Sequence, residues 1–198
     1  MLAKTTQKGT PEMADILPSI QSRRSFRALS SEAIPEEVVD RTLTAATLAP
    51  SCFNNQPWRF LMVQSPEALE QAREHLSGGN YWASFAPALI LVITNPELDC
   101  RIPNGDRVYA EFDTGMAVMN LLIQAEVEGL YAHPMAGFNA ENMAKAFEIE
   151  APYKLITVIA VGYPGDISRL SEKHTRAEQS ERQRKPLSEV VFFDTWNP

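Results

Sequence analysis

Between Ala49 and Trp58 the chain reads Ala-Pro-Ser-Cys-Phe-Asn-Asn-Gln-Pro-Trp, so that Ser51, Asn54, Asn55 and Gln56 set short hydrogen-bonding groups between two prolines. Pro50 ends a helix through its ring and missing N–H, and Pro57 pushes its predecessor into extended backbone. Donors and acceptors on such backbone suit a planar polar ligand. A second concentration of chemistry lies upstream, where Arg23, Arg24, Ser25 and Arg27 gather guanidinium groups and a hydroxyl in one short turn. Arginine grips phosphate with two parallel hydrogen bonds and keeps its charge at all working pH values, so this turn suits one anionic group. A second basic run, Arg182, Arg184 and Lys185, lies near the C-terminus.

The elements that position these residues follow from periodicity and punctuation. A helical stretch over Glu12 to Gln21, interrupted by Pro18, leads into the Arg-rich turn. Pro35-Glu36-Glu37 opens a second helix with Val38, Val39, Leu43 and Ala46 on one face, ending before Pro50. Arg59 to Gln64 reads as a strand, Ser65-Pro66-Glu67 starts a helix carrying Leu69, Ala72 and Leu76, and Ala88 to Thr94 reads as a fully buried strand. After the connection from Asn95 to Arg107, Val108, Phe112, Met116, Met119, Ile123 and Val127 recur at helical spacing, with Leu121, Leu122 and Leu130 widening the stripe, and Gly129 marks the end of this longest helix. A short helix over Asn139 to Phe147, a buried strand over Leu155 to Val161, a charged tail from Asp166 to Lys185 and an apolar piece at Val190 to Phe193 complete the chain. The expected class is α+β, with residues 1–11 as a flexible tail and 12–198 as a single domain. No Gly-x-Gly-x-x-Gly follows a strand, which argues against a Rossmann or P-loop site.

The net charge of −7 argues against nucleic acid as the main partner, because neutralising phosphates needs a clustered basic surface. The longest apolar run, Ala86 to Ile93, falls short of a membrane span, and the polar start of the chain does not read as a signal peptide. A soluble, cytoplasmic protein is expected. Cys52 and Cys100 show no spacing that indicates a disulfide framework or metal site, so reduced thiols are expected, with Cys52 a small filler in its loop. His75, His133 and His174 are isolated, and no metal site is expected.

The Pro50 to Trp58 segment resembles the Pro-Ser-x-x-Asn-x-Gln-Pro-Trp signature of the nitroreductase family of flavin enzymes, and Arg23 to Arg27 resembles that family's Arg-Arg-Ser-x-Arg motif. The stretch Gly129 to Asn139 resembles the family block that crosses the flavin ring, and Arg182 to Val190 resembles the basic segment that returns to the cofactor phosphate. Together the resemblance covers roughly Ile16 to Val191. It implies a nitroreductase-like mixed or antiparallel sheet flanked by helices, in a homodimer with a long central helix and each flavin at the subunit interface.

The same resemblance implies bound flavin mononucleotide (FMN), with NADH or NADPH as co-substrate. Arg23 and Ser25 would hold its phosphate, Arg24 would serve either role or none, and Arg27 would face the pyrimidine edge of the ring. Pro50, Ser51, Asn54 and Gln56 would line the cofactor from the other subunit, and Asn80 would bond the ring. Pro134, Met135, Ala136 and Gly137 would pass beside the flavin N5, with backbone N–H groups donating. Arg184, with Arg182 and Lys185, would complete the phosphate contacts. The implied activity is hydride transfer from NAD(P)H through flavin N5 to a small acceptor such as a nitroaromatic or quinone, in ping-pong fashion. The sequence holds no Ser/His/Asp, Cys/His or paired-carboxylate arrangement, in keeping with chemistry carried by a cofactor. Related flavin chemistry, reductive dehalogenation or flavin breakdown, and non-catalytic flavin binding are the alternatives, with the 95–107 connection as the element expected to decide between the implied activity and the related flavin chemistry.

Overall fold

The computed structural model describes residues 16–100 and 108–197. The tail expected over residues 1–11 lies outside them, as do residues 101–107 of the connection.

Four strands, β1 (Trp58–Val63), β2 (Ala88–Thr94), β3 (Tyr131–Met135) and β4 (Lys154–Gly162), form one sheet in the order β1-β2-β4-β3. All three pairings are antiparallel, with Trp58 opposite Thr94, Ala88 opposite Val161 and Tyr131 opposite Gly162. β2 is buried at every position, because helices cover both faces of the sheet. Successive side chains alternate in direction. Leu89, Leu91, Val158 and Ala160 pack with Leu69 and Ala72 of α3 (Pro66–Arg73), Met143 of α5 (Ala140–Ala146) and Trp82. Ala88, Ile90, Val92, Ile159 and Val161 pack with Val38 and Ala46 of α2 (Glu36–Thr47) and Leu121, Leu122 and Ala125 of α4 (Ala110–Val127). The α+β class holds, and the sheet is wholly antiparallel.

Local chemistry explains several boundaries. Ser65 caps α3 by accepting from the Ala68 N–H, with Pro66 in the first turn where its missing N–H costs nothing. Asn139 and Ser171 cap α5 and α6 (Glu172–Gln179) in the same way, accepting from Asn142 and His174. Four readings change. The first described helix, α1, is only Pro18–Ser22, because Pro18 opens a helix here. β3 occupies a stretch where no strand was expected; it is an edge strand, which is why it accommodates Pro134. α6 lies inside the expected charged tail. On α4 the buried residues include Ala110, Asp113, Thr114, Ala117 and Ala125, while Phe112, Met119 and Val127 of the expected stripe face outward at 59%, 37% and 64% exposure. Small residues let α4 approach α2 and the sheet closely, and the large ones are left on the open side.

The cysteines also depart from expectation. Cys52 and Cys100 are joined in a disulfide, with Cα atoms 5.9 Å apart across a sequence separation of 48. Only tertiary structure brings them within bridging range. Among the described residues no helix is long and apolar enough to cross a membrane.

Candidate functional site

The Arg-rich turn leaves α1 and enters the body of the protein at Ala28 and Leu29, both buried. Leu29 forms an isolated antiparallel bridge with Pro164, just past β4, and the Gly165 N–H donates to the Ala28 carbonyl at 2.7 Å. A Cβ on Gly165 would stand 2.3 Å from the Leu29 backbone, so this close approach requires glycine. The turn is thereby pinned at one end to the sheet.

At its other end the C-terminal segment returns to it. Arg182 donates to the Ile20 carbonyl at 3.1 Å and to the Arg23 carbonyl. Arg23, half-buried, has its pKa lowered by desolvation and then by the charges of Arg182 and Arg184, against which only Glu126 acts. Three guanidinium groups therefore gather in one place, and among the described residues Glu126 is the carboxylate that offsets the charges on Arg23. Such crowding is unfavourable unless an anion is offered to it. Among the described residues Arg184 hydrogen-bonds to the neighbouring Gln183 carbonyl alone, whereas Lys185 pairs with Glu189 at 3.9 Å on the surface. Arg24 is otherwise engaged: its guanidinium donates to the carbonyls of Ser180 at 2.6 Å and Ala177 at 3.2 Å, closing the C-terminal end of α6. Ser25 is exposed beside the cluster.

Arg27 points toward a second group of residues. Its backbone N–H donates to Glu178 Oε1 at 2.8 Å, and its guanidinium lies 3.7 Å from that oxygen. Burial raises the Glu178 pKa, while the Arg27 and Ala28 N–H groups and the Arg27 charge pull it back. The guanidinium carbon sits 5.9 Å from the centre of the Trp82 ring, which packs at 4.6 Å against His133. Trp82 is fully buried, and its Nε1 has no hydrogen-bond partner among the described residues. Glu178 and Trp82 escaped the sequence reading, although Glu178 sits at helical spacing after the Ser171 cap and Trp82 lies two residues after Asn80.

Asn80 is held against the block it was expected to share a ligand with. Its Nδ2 donates to the Gly137 carbonyl at 2.8 Å, alongside the Ser77 N–H at 2.9 Å. A Cβ on Gly137 would stand 2.9 Å from Asn80 Nδ2, so the glycine lets the two segments close up. The N–H groups of Ala136 and Gly137 make no backbone hydrogen bond among the described residues. They follow directly on Met135, the buried end of β3, and Pro134 beside it is half-buried. Two free donors, the spare Asn80 Oδ1 and a close backbone cradle are what the polar edge of a planar ring requires.

The His133 imidazole is pushed down to about 4 by desolvation, with the Arg27 charge adding to this, while its Nδ1 lies 3.2 Å from the Phe26 carbonyl. An unfolded histidine takes a proton near 6.5, so between pH 6.5 and about 4 the unfolded state binds more protons. Stability falls as pH drops through that window, by about 3 kcal/mol from this group. Glu178, with a raised pKa, works in the opposite direction. Urea unfolding at several pH values checks this: the decline should shrink in His133→Phe relative to the parent.

The Pro50–Trp58 loop lies elsewhere. Its Ser51 Oγ accepts from the Gln56 N–H at 3.0 Å and Gln56 Nε2 donates to the Asn54 carbonyl at 3.1 Å, while the Cys52 N–H donates to the buried Asp113 Oδ2 at 3.0 Å. Asp113 is near the start of α4, whereas Glu126, which acts on Arg23, is near its end. At the helical rise these points are roughly 20 Å apart. Within one chain, then, the loop and the arginine cluster sit at opposite ends of α4, and the expected site residues fall into two halves.

This sheet and these segments can be compared with known proteins. The model of the nitroreductase family matches residues 20–81 and 78–163. A Methanothermobacter thermautotrophicus protein provisionally named NADH dehydrogenase/NAD(P)H nitroreductase is 31% identical over 164 residues, covering 80% of this chain and 82% of that one. Iodotyrosine deiodinase 1 of Pongo abelii is 25% identical over 203 residues, covering 88% of this chain and 66% of that one. Among solved structures, one titled as an oxidoreductase containing FMN superposes with a TM-score of 0.84 at 28% identity, over 98% of this chain and 99% of its own. The arginine turn and the Pro50–Trp58 loop both lie inside the matched residues, on the same fold: the chain belongs to the nitroreductase family.

Proposed function

We propose that this protein is an FMN-dependent oxidoreductase that takes hydride from NADH or NADPH and passes electrons to a small acceptor such as a nitroaromatic or quinone, in a ping-pong cycle and in a cytoplasmic setting. The observation that carries this reading is the return of the C-terminal segment to the arginine turn, with Arg182 bonded to the Ile20 and Arg23 carbonyls and the charges of Arg182 and Arg184 acting on Arg23, on a chain that also closes Asn80 against Gly137. FMN, when bound, supplies the hydride-accepting chemistry at its N5. The residues present fit it. Arg23, Arg184 and Ser25 hold the phosphate, with Arg182 tying the C-terminal segment in place. Arg27 offers positive charge to the pyrimidine edge, tempered by Glu178. The N–H groups of Ala136 and Gly137 donate to the polar edge of the ring, and Asn80 Oδ1 accepts from it.

The separation of the two halves along α4 supports a homodimer. Two α4 helices packed antiparallel about a twofold axis would bring the Asp113 end of one beside the Glu126 end of the other, so that each flavin takes its phosphate contacts from one subunit and Ser51, Asn54 and Gln56 from its partner. The exposed Leu48, Phe53, Phe112 and Val127 supply the apolar surface such a contact needs. The exposed Val190 and Val191 extend it.

Purified protein should be yellow, and its visible absorption should bleach on adding NADH or NADPH without air; a colourless protein that does not take up FMN would sink the reading. Asn54→Ala should weaken FMN binding roughly tenfold to a hundredfold, because a buried polar partner on the ligand is left unpaired at about 1–3 kcal/mol. Fluorescence quenching on titrating FMN into apo-protein measures this, and equal affinities would remove Asn54 from the site. A second reading, reductive dehalogenation of an aromatic, is favoured by the likeness to iodotyrosine deiodinase. Iodide release from iodotyrosine by the dithionite-reduced protein distinguishes the two.

A further inference from the structure

The Cys52–Cys100 disulfide ties together two connecting segments. Cys52 lies in the loop assigned to the cofactor, and Cys100 is buried in the connection that leads from β2 toward α4, six residues past Thr94. Phe53, Asn54 and Gln56 stand at φ of 51°, 58° and 49°, a left-handed region that non-glycine residues occupy only when their surroundings impose it. Core packing does not impose it here, since Phe53 is 82% exposed. Apart from contacts within the loop, its Gln56 end is held at the start of β1, where Arg59 donates to the Gln56 carbonyl at 3.1 Å and the Asn95 N–H donates to the Pro57 carbonyl at 2.9 Å, whereas its Cys52 end is fixed by the Cys52 N–H to Asp113 Oδ2 hydrogen bond and the disulfide. Cys100 in turn is steadied by Asp99, whose carboxylate accepts from the Cys100 N–H at 2.6 Å and from the Tyr109 N–H at 3.0 Å, just before α4.

We propose that Cys52–Cys100 is a redox modification site, a thiol-responsive clasp whose state sets the shape of the Ser51–Gln56 loop and, through it, the affinity for flavin. Oxidised, the clasp holds Ser51 and Asn54 in the ligand-binding arrangement. Reduced, the Cys52 end of the loop is left on one hydrogen bond to α4, and the loop relaxes from its left-handed backbone. The co-reactant is a small-molecule thiol. Its thiolate attacks Sγ of Cys52, the more accessible of the two, forming a mixed disulfide and expelling Cys100 as a thiolate that takes up a proton. A second thiol attacks the mixed disulfide, releasing Cys52 as a thiol and the co-reactant as its own disulfide, so two electrons and two protons pass to the protein. The reverse exchange closes the clasp.

The link to flavin affinity rests on the proposed assignment of this loop to FMN, so the test reads the loop with and without it. Full-length protein is equilibrated with mixtures of reduced and oxidised dithiothreitol, its free cysteines are counted by alkylation, and FMN is titrated into each sample. The free cysteines should pass from none to both as the mixture becomes reducing, with FMN affinity falling roughly tenfold because the loop must be ordered on binding. Cys52→Ser and Cys100→Ser should bind FMN as the reduced parent does and ignore dithiothreitol. Hydrogen exchange over residues 51–56, measured without FMN, should accelerate on reduction. Equal FMN affinity in the two states overturns the clasp while leaving the cofactor reading intact. Absence of FMN binding in either state overturns the cofactor reading, and the exchange rates then decide the clasp alone: unchanged rates, or a bond that native protein keeps at every mixture, overturn it.

Discussion

Replacing Arg23 and Arg184 together with alanine should lower FMN affinity by roughly a hundredfold to ten-thousandfold, since each charge-assisted hydrogen bond contributes about 1.5–3 kcal/mol. These two are the informative pair. Arg23 is half-buried among like charges, with its pKa lowered by burial and by Arg182 and Arg184, and the hydrogen bond Arg184 makes among the described residues is to its own neighbour's carbonyl. Neither is holding the fold together, and in the apo-protein their removal relieves repulsion. Arg182 would confuse the test, because it secures the C-terminal segment to Ile20 and Arg23. Arg24 would too, through its bonds to α6. The double variant should unfold at the parent's urea midpoint or above while purifying colourless. If it stays yellow, with unchanged affinity by fluorescence quenching, the phosphate lies elsewhere.

The largest effect on stability is expected at Trp82. It is fully buried among Leu89, Leu91, Met143 and Val158, beneath Arg27 and against His133. Trp82→Ala should cost about 3–5 kcal/mol, from lost apolar burial plus the cavity left behind. For a chain of this length that lowers Tm by roughly 6–20 °C. Trp82→Phe keeps an aromatic ring and removes the Nε1–H that has no partner among the described residues, so it should cost much less than the alanine change. Calorimetry on the three proteins separates the contributions. Equal losses in both variants would mean that the indole N–H has a role beyond packing; no loss in Trp82→Ala would mean that the cluster around it does not govern stability.

Trp82 also marks where local reading stopped. The residues that announced themselves did so through local chemistry: prolines on either side of the 50–57 loop, Ser65 and Asn139 as helix caps, and the unbroken apolar run of β2, which the structure reproduces at Ala88–Thr94. The motifs at Arg23–Arg27 and Pro50–Trp58 were legible in the same way, as dense polar chemistry on backbone that proline or a helix end had fixed. That was enough to reach the family. It was not enough to show how the pieces meet. β3 was hidden because Pro134 argues against a strand until its edge position is known, and α6 because a surface helix with a single buried residue, Glu178, carries little apolar periodicity. The inward face of α4 was misread because close helix packing selects Ala117 and Ala125 over Phe112 and Met119, a choice that only the neighbouring helix and sheet can make. The gathering of Arg182 and Arg184 beside Arg23, the joining of Cys52 to Cys100, and the placing of the loop and the arginine cluster at opposite ends of one helix are all contacts between residues far apart in sequence. Local propensity has no term for such distances, and closing those long loops is what burial of the shared core makes possible.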